Sequence, residues 1–458
     1  MSIDLAKGSA KYLLARIITS IFIFFTIPIL SRFMSQESIG LLMYFLAIIP
    51  LIAVFIFLGS ESALVRLFYE YKDKNKIVSN TFFIVLTLIL FWTTLLYLIN
   101  INFDFDLKFF YNLTFLYVVF YGINNHLLSF FRVIESPNHY FVVVVLAGIS
   151  YFFSQVSIGI SLKDPFYVII SRIAVEFLVV AYAAYFFFKY IRFSLISVKE
   201  IKNILKYMLP IVPYTFALYA IHVTDKIFVE HLLGLNQMAI YGAAYTFVAV
   251  ITIVSQSFDM AWGPYFYSNV SKKSTDHFNI SINIFCGLLS IITVFIIIFS
   301  REIVSIIYPE QYSESYQILI ILMVGVYVNA FFFFPVKSIN YKRKNIYSAL
   351  IAVVVMFINI ALNYIFINAI GLQGAAIATL LSFCIFVALM TYVGEKVFPL
   401  NYEYFILLVF FGIVLFNAIF SYLADSNIML KLLALFLSSA LTIVILAKKY
   451  IQEVNIKI

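Results

Sequence analysis

PFYVIISRIAVEFLVVAYAAYFFF, residues 165–188, decides how the rest of the chain is read. As an α-helix at 1.5 Å per residue it is about 36 Å long, enough to cross the roughly 30 Å hydrocarbon core of a bilayer. Its only charged residues are Arg172 and Glu176, near the middle. A charge at that depth costs at least about 2.5–3.5 kcal/mol on insertion scales, so each needs a partner or a wet cavity. The i, i+4 spacing puts both on one helical face. Either they neutralise each other, or that face is turned toward water.

The same composition runs through all 458 residues, which are 64% hydrophobic and 11% charged, with a mean hydropathy of +1.04. Soluble domains carry roughly 25% charge, so this is a membrane protein. Ten prolines and 15 glycines are too few for flexible linkers, and the chain reads as one continuous membrane domain. The run from Tyr12 to Leu30 follows Lys7 and Lys11 but is succeeded by Ser31 and Arg32, where signal cleavage would want small residues; a retained helix is expected. Cys286 and Cys384 lie in apolar runs and are read as packing residues. The net charge of +8 is spread over short connections rather than gathered in one basic segment, which argues against a nucleic-acid partner. Most of the 52 phenylalanines and 33 tyrosines are read as lipid-facing side chains and interfacial belts rather than sugar-stacking surfaces.

Fourteen apolar runs follow one another at 12–31, 39–60, 78–100, 109–131, 139–161, 165–188, 204–224, 238–260, 278–300, 315–335, 346–369, 371–393, 403–423 and 428–447. Lipid permits only helices or closed barrels, and the runs lack the dyad alternation of a barrel. The fold expected is an all-α polytopic membrane protein of about 14 transmembrane helices. Of the 30 lysines and arginines, 22 fall on the side of the termini and 6 on the other, with Arg16 and Arg172 inside spans. The positive-inside rule then places both termini in the cytoplasm.

Enzymatic chemistry finds little support. There is no HExxH, no Ser-His-Asp set and no large aqueous loop; Asp104 and Asp106 sit on a short external turn and read as solvated. No GxxxxGK[ST] stretch exists to supply ATP drive, which leaves the coupling ion, Na+ or H+, open. A weak internal repeat relates residues 31–70 to 230–269, and FFRVIESPNHY at 130–140 to FPVKSINYKRKNIY at 334–347. An offset of six spans keeps both copies in the same orientation. Two six-helix lobes at 1–190 and 191–395 follow, with two extra helices and a tail at 396–458. Transporters built from such repeats place the substrate between lobes.

LLARIITSIFIFFTIPILSRFMSQESIGLLMYF at 13–45, SALVRLFYEY at 62–71, YMLPIVPYTFALYAIHVTDKIFVEHLLGLNQMAIYGAAYTF at 207–247, AWGPYFYS at 261–268 and NIALNYIFINAIGLQGAAIAT at 359–379 carry a resemblance. The chain resembles the polysaccharide-export branch of the multidrug/oligosaccharidyl-lipid/polysaccharide exporter superfamily, most of all its Wzx-type O-antigen and capsule repeat-unit flippases. It departs at Lys226, where the resemblance leads one to expect arginine after Asp225. The resemblance implies a V-shaped two-lobe fold with a cationic central cavity. It implies a monomer in the bacterial cytoplasmic (inner) membrane that moves undecaprenyl-pyrophosphate-linked oligosaccharide by alternating access and works beside a polysaccharide polymerase and a chain-length regulator. A lipid II flippase or a cation-coupled drug antiporter of the same superfamily is the alternative, and a membrane polymerase or ligase is one from another class.

Beside that resemblance, each polar residue in a span has two readings. Arg172 offers its guanidinium to a phosphate, with Glu176 holding it, or the two simply pair. Arg16 has no acid at i±3 or i±4 and either snorkels or faces the cavity. Arg66 and Arg132 stand where a lipid pyrophosphate would enter, or act as interfacial anchors. Asn124, Asn125, His126, Asn359 and Asn363 are candidates for sugar hydrogen bonds or for interhelical glue, and His222, which could titrate near neutral pH, reads as structural. Pro210 and Pro213 loosen the seventh span as a kink or hinge. Asp225 and Lys226, closing that span, and Asp259, at the end of the eighth, are gating or ion-coupling candidates or local pairs.

Overall fold

Among the described residues, each of the fourteen apolar runs is mostly helical. The computed structural model describes residues 3–99, 105–270, 276–423 and 427–456. Asp104, Lys272, Lys273 and Lys457 lie outside the described residues, as do the side chains of Lys7 and Asp106. Among the described residues there is no strand. Thirteen helices there are long and apolar enough to cross a membrane, and Leu14–Leu30 adds a shorter apolar stretch. The physical cause is that a spanning segment has no water to bond its N–H and C=O groups and must bond them internally.

The chain falls into two compact units, Met1–Val223 and Thr224–Ile458. The first holds α1 (Ile3–Leu30), α2 (Gln36–Phe57), α3 (Ser60–Leu67), α4 (Lys74–Ile99), α5 (Phe105–Val133), α6 (Pro137–Leu162), α7 (Pro165–Phe187), α8 (Val198–Met208) and the start of α9 (Val212–Leu233). The second holds the rest of α9, then α10 (Leu235–Asn269), α11 (Asp276–Ile298), α12 (Ser300–Ile307), α13 (Ser315–Ala330), α14 (Phe333–Tyr341), α15 (Asn345–Ile370), α16 (Leu372–Val397), α17 (Tyr404–Leu423) and α18 (Ile428–Ile456). In the first unit α1 lies along α6, and α7 packs on both α5 and α6. In the second, α16 packs on α13 and α15, while α17 and α18 dock on α11.

Local chemistry sets the breaks. Helix α7 starts where Asp164 caps it, accepting from Phe166 N–H at 2.8 Å with Pro165 following. Between α2 and α3 the chain turns through Leu58 (φ 49°) and Gly59 (φ 73°), a left-handed pair that ends α2 and aims α3 elsewhere. Pro210 sits in the 3-10 turn Leu209–Ile211, and Pro213 is the second residue of α9. Each removes a backbone donor, so the helix begun at α8 is interrupted there. Cys286 is buried and Cys384 half-buried; both are free thiols among helices.

Two expected span ends are corrected. Helix α9 continues to Leu233, so Asp225 and Lys226 lie inside it rather than at its close, and α10 continues to Asn269, which places Asp259 inside that helix. The polar residues that suggested an end are bonded to neighbouring helices, so the backbone has no reason to stop. Lys337, one of the 22 cations expected in connections on the side of the termini, is instead in α14, where it pairs with Asp259.

The α1–α6 seam depends on a missing side chain. A Cβ at Gly148 would stand 2.5 Å from the Thr19 methyl and 3.0 Å from its Cα. Thr19 Oγ1 donates to the Val144 carbonyl at 3.0 Å across the same contact. Small residues let helix backbones approach where no hydrophobic force joins them in lipid. Gly148→Val is expected to destabilise the protein by about 1–3 kcal/mol through overpacking. Thermal unfolding of the purified protein in detergent checks this; an unchanged midpoint would mean that the seam opens without cost.

Candidate functional site

Helix α5 presents Tyr117, Tyr121, Asn124 and Asn125 at i, i+4, i+7 and i+8, one face of a helix. That face meets α7 at its two charges. Asn124 Nδ2 donates to Glu176 Oε1 at 2.8 Å, and Glu176 is 1% exposed. Arg172 Nε donates to the Tyr117 hydroxyl at 2.7 Å. The guanidinium carbon lies 4.4 Å from the centroid of the Tyr151 ring on α6 and 5.3 Å from that of Tyr117. Arg172 and Glu176 therefore do not pair with each other, which corrects both the reading in which they neutralise each other and the one in which Glu176 holds the guanidinium; Tyr117 and Tyr151 hold it instead. The i, i+4 spacing allowed the pair, but α5 and α6 supply an amide for the acid and two aromatic faces for the base.

The difference matters chemically. A carboxylate partner would cancel the charge of Arg172, whereas a ring face stabilises a desolvated cation by up to about 2 kcal/mol and leaves its charge in place. Only Nε–H is spent on the tyrosine, so the terminal nitrogens keep their donors for an anion.

Farther along the same face, Tyr121 and Asn125 border a small open recess walled also by Pro50, Glu61, Thr215 and Tyr219. The left-handed break at Leu58 and Gly59 puts Glu61 on the first turn of α3, and Thr215 and Tyr219 come from one face of α9. Burial pushes the Glu61 carboxyl up; its own backbone hydrogen bond and the Arg132 charge oppose this only in part. Tyr121 lies within electrostatic reach of Arg172, Glu176 and Glu61. Recess and arginine thus belong to one polar seam inside the first unit. The sequence reading missed Tyr117, Tyr121, Tyr151, Glu61 and Tyr219. The tyrosine and asparagine spacing on α5 was the available signal, masked by the general abundance of aromatics.

The other candidates are dispersed. Arg66 pairs with Glu70 at 2.8 Å, with both side chains at least half exposed. Arg132 donates from Nη2 to Ser129 Oγ at 2.7 Å and is exposed. Arg16 is exposed on α1 and forms no ion pair or hydrogen bond with the described residues. His126 is buried, with Nδ1 3.4 Å from Ser60 Oγ.

In the second unit, Asn359 Nδ2 donates to Ser382 Oγ at 2.9 Å across α15 and α16, and Asn363 Nδ2 donates to the Asn359 carbonyl at 2.9 Å. Both asparagines are 0% exposed: Asn359 ties α15 to α16, Asn363 bonds within α15, and neither presents anything to a sugar, a correction of the first of their possible roles. Asp259 pairs with Lys337 Nζ at 2.8 Å, the local-pair reading. Asp225 is also 0% exposed. Its Oδ2 accepts from the hydroxyls of Tyr241 at 2.7 Å, Tyr245 at 2.6 Å and Thr379 at 3.1 Å. Its Oδ1 accepts from Lys226 N–H at 2.8 Å and stands 3.5 Å from Lys226 Nζ, which lies over the Tyr245 ring. Five donors surround a group with about four lone-pair sites. In this arrangement Asp225 does not fit a metal cation. Among the described residues no group of three or more His, Cys, Asp or Glu could hold one.

Solved structures share this architecture. One described as lipid II flippase MurJ in an inward closed conformation superposes with a TM-score of 0.77 at 17% identity, covering 96% of this chain and 99% of that one. An inward-facing multidrug resistance MATE family transporter of the MOP superfamily gives 0.63 at 14% identity, covering 82% and 94%. A MOP superfamily transporter from Pyrococcus furiosus gives 0.61 at 14% identity, covering 86% and 95%. The fold is thus that of these multi-pass, all-helical membrane proteins. The chain belongs to the family described as polysaccharide biosynthesis protein, whose profile matches residues 5–270, more than half of its length. A curated Shigella flexneri protein named "Putative O-antigen transporter" is 27% identical over 157 residues, 34% of this chain. That match spans little more than a third, 37%, of the relative's length.

Proposed function

We propose that this chain is a flippase that moves an undecaprenyl-pyrophosphate-linked oligosaccharide repeat unit across the bacterial cytoplasmic membrane, for O-antigen, capsule or exopolysaccharide synthesis. The observation that carries it is Arg172: a guanidinium at the middle of a membrane-spanning helix, held between Tyr117 and Tyr151 with no carboxylate on it. Such a group is costly in lipid unless it has an anion to receive. Its planar fork matches phosphate oxygens. The neighbouring recess suits the sugars, with Glu61 and Asn125 to accept and donate hydroxyl bonds and Tyr121 and Tyr219 to offer ring surfaces. Alternating access is driven by an ion gradient or by downstream consumption of product, and the Pro210 and Pro213 break serves as its hinge. Asp225 with Lys226, and Asp259 with Lys337, act as latches rather than ion sites in this scheme.

Lipid II is a second reading, favoured by the fold match that covers nearly the whole of both chains. Its pyrophosphate would use Arg172 in the same way. Deletion of the gene followed by mass analysis of undecaprenyl-linked intermediates separates the two. A several-fold rise of a repeat-unit oligosaccharide, with lipid II unchanged, is the expected outcome. A rise of lipid II instead supports the second reading, and no rise of either ends both.

A further inference from the structure

Between α7 and α9 the chain runs as FKYIRFSLISVKEIKNILKYM, residues 188–208. Two short 3-10 turns, Phe188–Tyr190 and Phe193–Leu195, lead into α8. The polar groups of α4 and the turn before it tie this strap down. Arg192 N–H donates to Ser79 Oγ at 2.9 Å, Asn80 Nδ2 donates to the Leu195 carbonyl at 3.0 Å, and Ser197 N–H donates to Asn80 Oδ1 at 3.0 Å. Glu200 accepts from Tyr71 OH at 2.6 Å and from Lys76 Nζ at 2.8 Å. Burial and the adjoining Glu200 raise the Tyr71 hydroxyl to about 12, so it stays protonated and donating at neutral pH. On the inner side, Ile204 and Met208 are fully buried and join a core with Leu64, Ile77 and Val78.

The outer side is different. Lys189, Arg192, Lys199, Lys202 and Lys206 are all exposed. The only acid of the strap, Glu200, is occupied by Lys76 and Tyr71. None of the five cations forms an ion pair with a described residue. Lys199, Lys202 and Lys206 form one stripe of α8 at i, i+3 and i+7. Beside them stand Phe188, Phe193 and Val198, 53%, 72% and 69% exposed. Candidate spans run up to Tyr190 and on from Val198, and five exposed cations within residues 188–208 are too costly for hydrocarbon, which argues for this surface at the bilayer boundary.

Uncompensated cations beside exposed aromatics, on a segment at the bilayer boundary, make up the chemistry of an interfacial lipid contact: rings enter the glycerol and acyl boundary while ammonium groups meet phosphates. Nucleic acid or an acidic protein would satisfy the charges but leave Phe188 and Phe193 unaccounted for. We propose that the outer face of residues 188–208 binds the headgroups of anionic glycerophospholipids, and that the α4 network holds the strap in register with them. This goes beyond the flippase reading and does not depend on it.

The test is hydrogen exchange of the strap amides in the full chain, in nanodiscs of phosphatidylcholine alone or with about a third phosphatidylglycerol. Exchange over 188–208 is expected to slow by at least about threefold with phosphatidylglycerol and to recover in high salt. The variant Lys199→Gln/Lys202→Gln/Lys206→Gln should lose the lipid effect while matching the unsubstituted protein in phosphatidylcholine. Should that variant fail to fold, Lys189→Gln/Arg192→Gln carries the same expectation with a smaller loss. Equal exchange in the two lipids overturns the proposal, and so does a lipid effect that survives both variants. Protection by added undecaprenyl pyrophosphate but not by phosphatidylglycerol also overturns it, because the surface would then be a cargo port.

Discussion

Arg172→Ala is expected to cut export of the lipid-linked oligosaccharide about 10- to 100-fold while leaving the protein folded in the membrane. The magnitude is that of one hydrogen-bonding partner to a charged group, about 1.5–3 kcal/mol, converted at 1.4 kcal/mol per decade. Folding should survive because the arginine makes one side-chain hydrogen bond, to Tyr117, and rests on rings that can still pack. Arg172→Lys keeps the charge but loses both the fork and the Nε bond to Tyr117, so its export should fall between the two. Tyr117→Phe removes only the bond that aims the guanidinium and should cost less than either. Surface polysaccharide, normalised to the amount of protein in the membrane, is the readout. Normal export by Arg172→Ala would remove the central support of the proposed function.

Asp225→Ala is expected to be the most destabilising single change, by about 3–5 kcal/mol, the usual cost of stranding one partner of a buried pair. It removes the carboxylate beside Lys226 and frees three hydroxyls, from Tyr241, Tyr245 and Thr379, inside the packed second unit. Thermal unfolding in detergent reads the loss. Replacing both charges, as in Asp225→Leu/Lys226→Met, is expected to recover much of it, because apolar residues of similar size often stand in for a buried ion pair without cost. If the double variant regains stability but not transport, the pair acts in the transport cycle as a latch. If Asp225→Ala is as stable as the parent, the cluster is not closed in the way its distances indicate.

The amino-acid order alone was sufficient for the fourteen helices, since a bilayer imposes length and apolarity on each span separately and that demand is visible in any window of twenty residues. It also sufficed for the break at Pro210 and Pro213, because a missing backbone donor acts within one turn. The transporter class followed from the resemblance carried by the quoted stretches. Beyond that, local reading ran out. It ended α9 and α10 at polar residues whose partners lie on other helices, and it offered Arg172 and Glu176 each other because spacing along one helix was all it could see.

Tertiary structure alone decided what each buried polar group touches. Asn124 and Asn125 are adjacent in sequence, yet a 100° turn of α5 gives one to Glu176 and the other to the recess. Asn359 and Asn363 read as sugar contacts as readily as those two, but the face they occupy is closed against α16. The reason is that hydrophobicity sets how deep a helix sits, whereas its rotation about its own axis is set by close packing against neighbours from distant parts of the chain. Whether a cation meets a ring, a carboxylate or an open recess depends on that rotation.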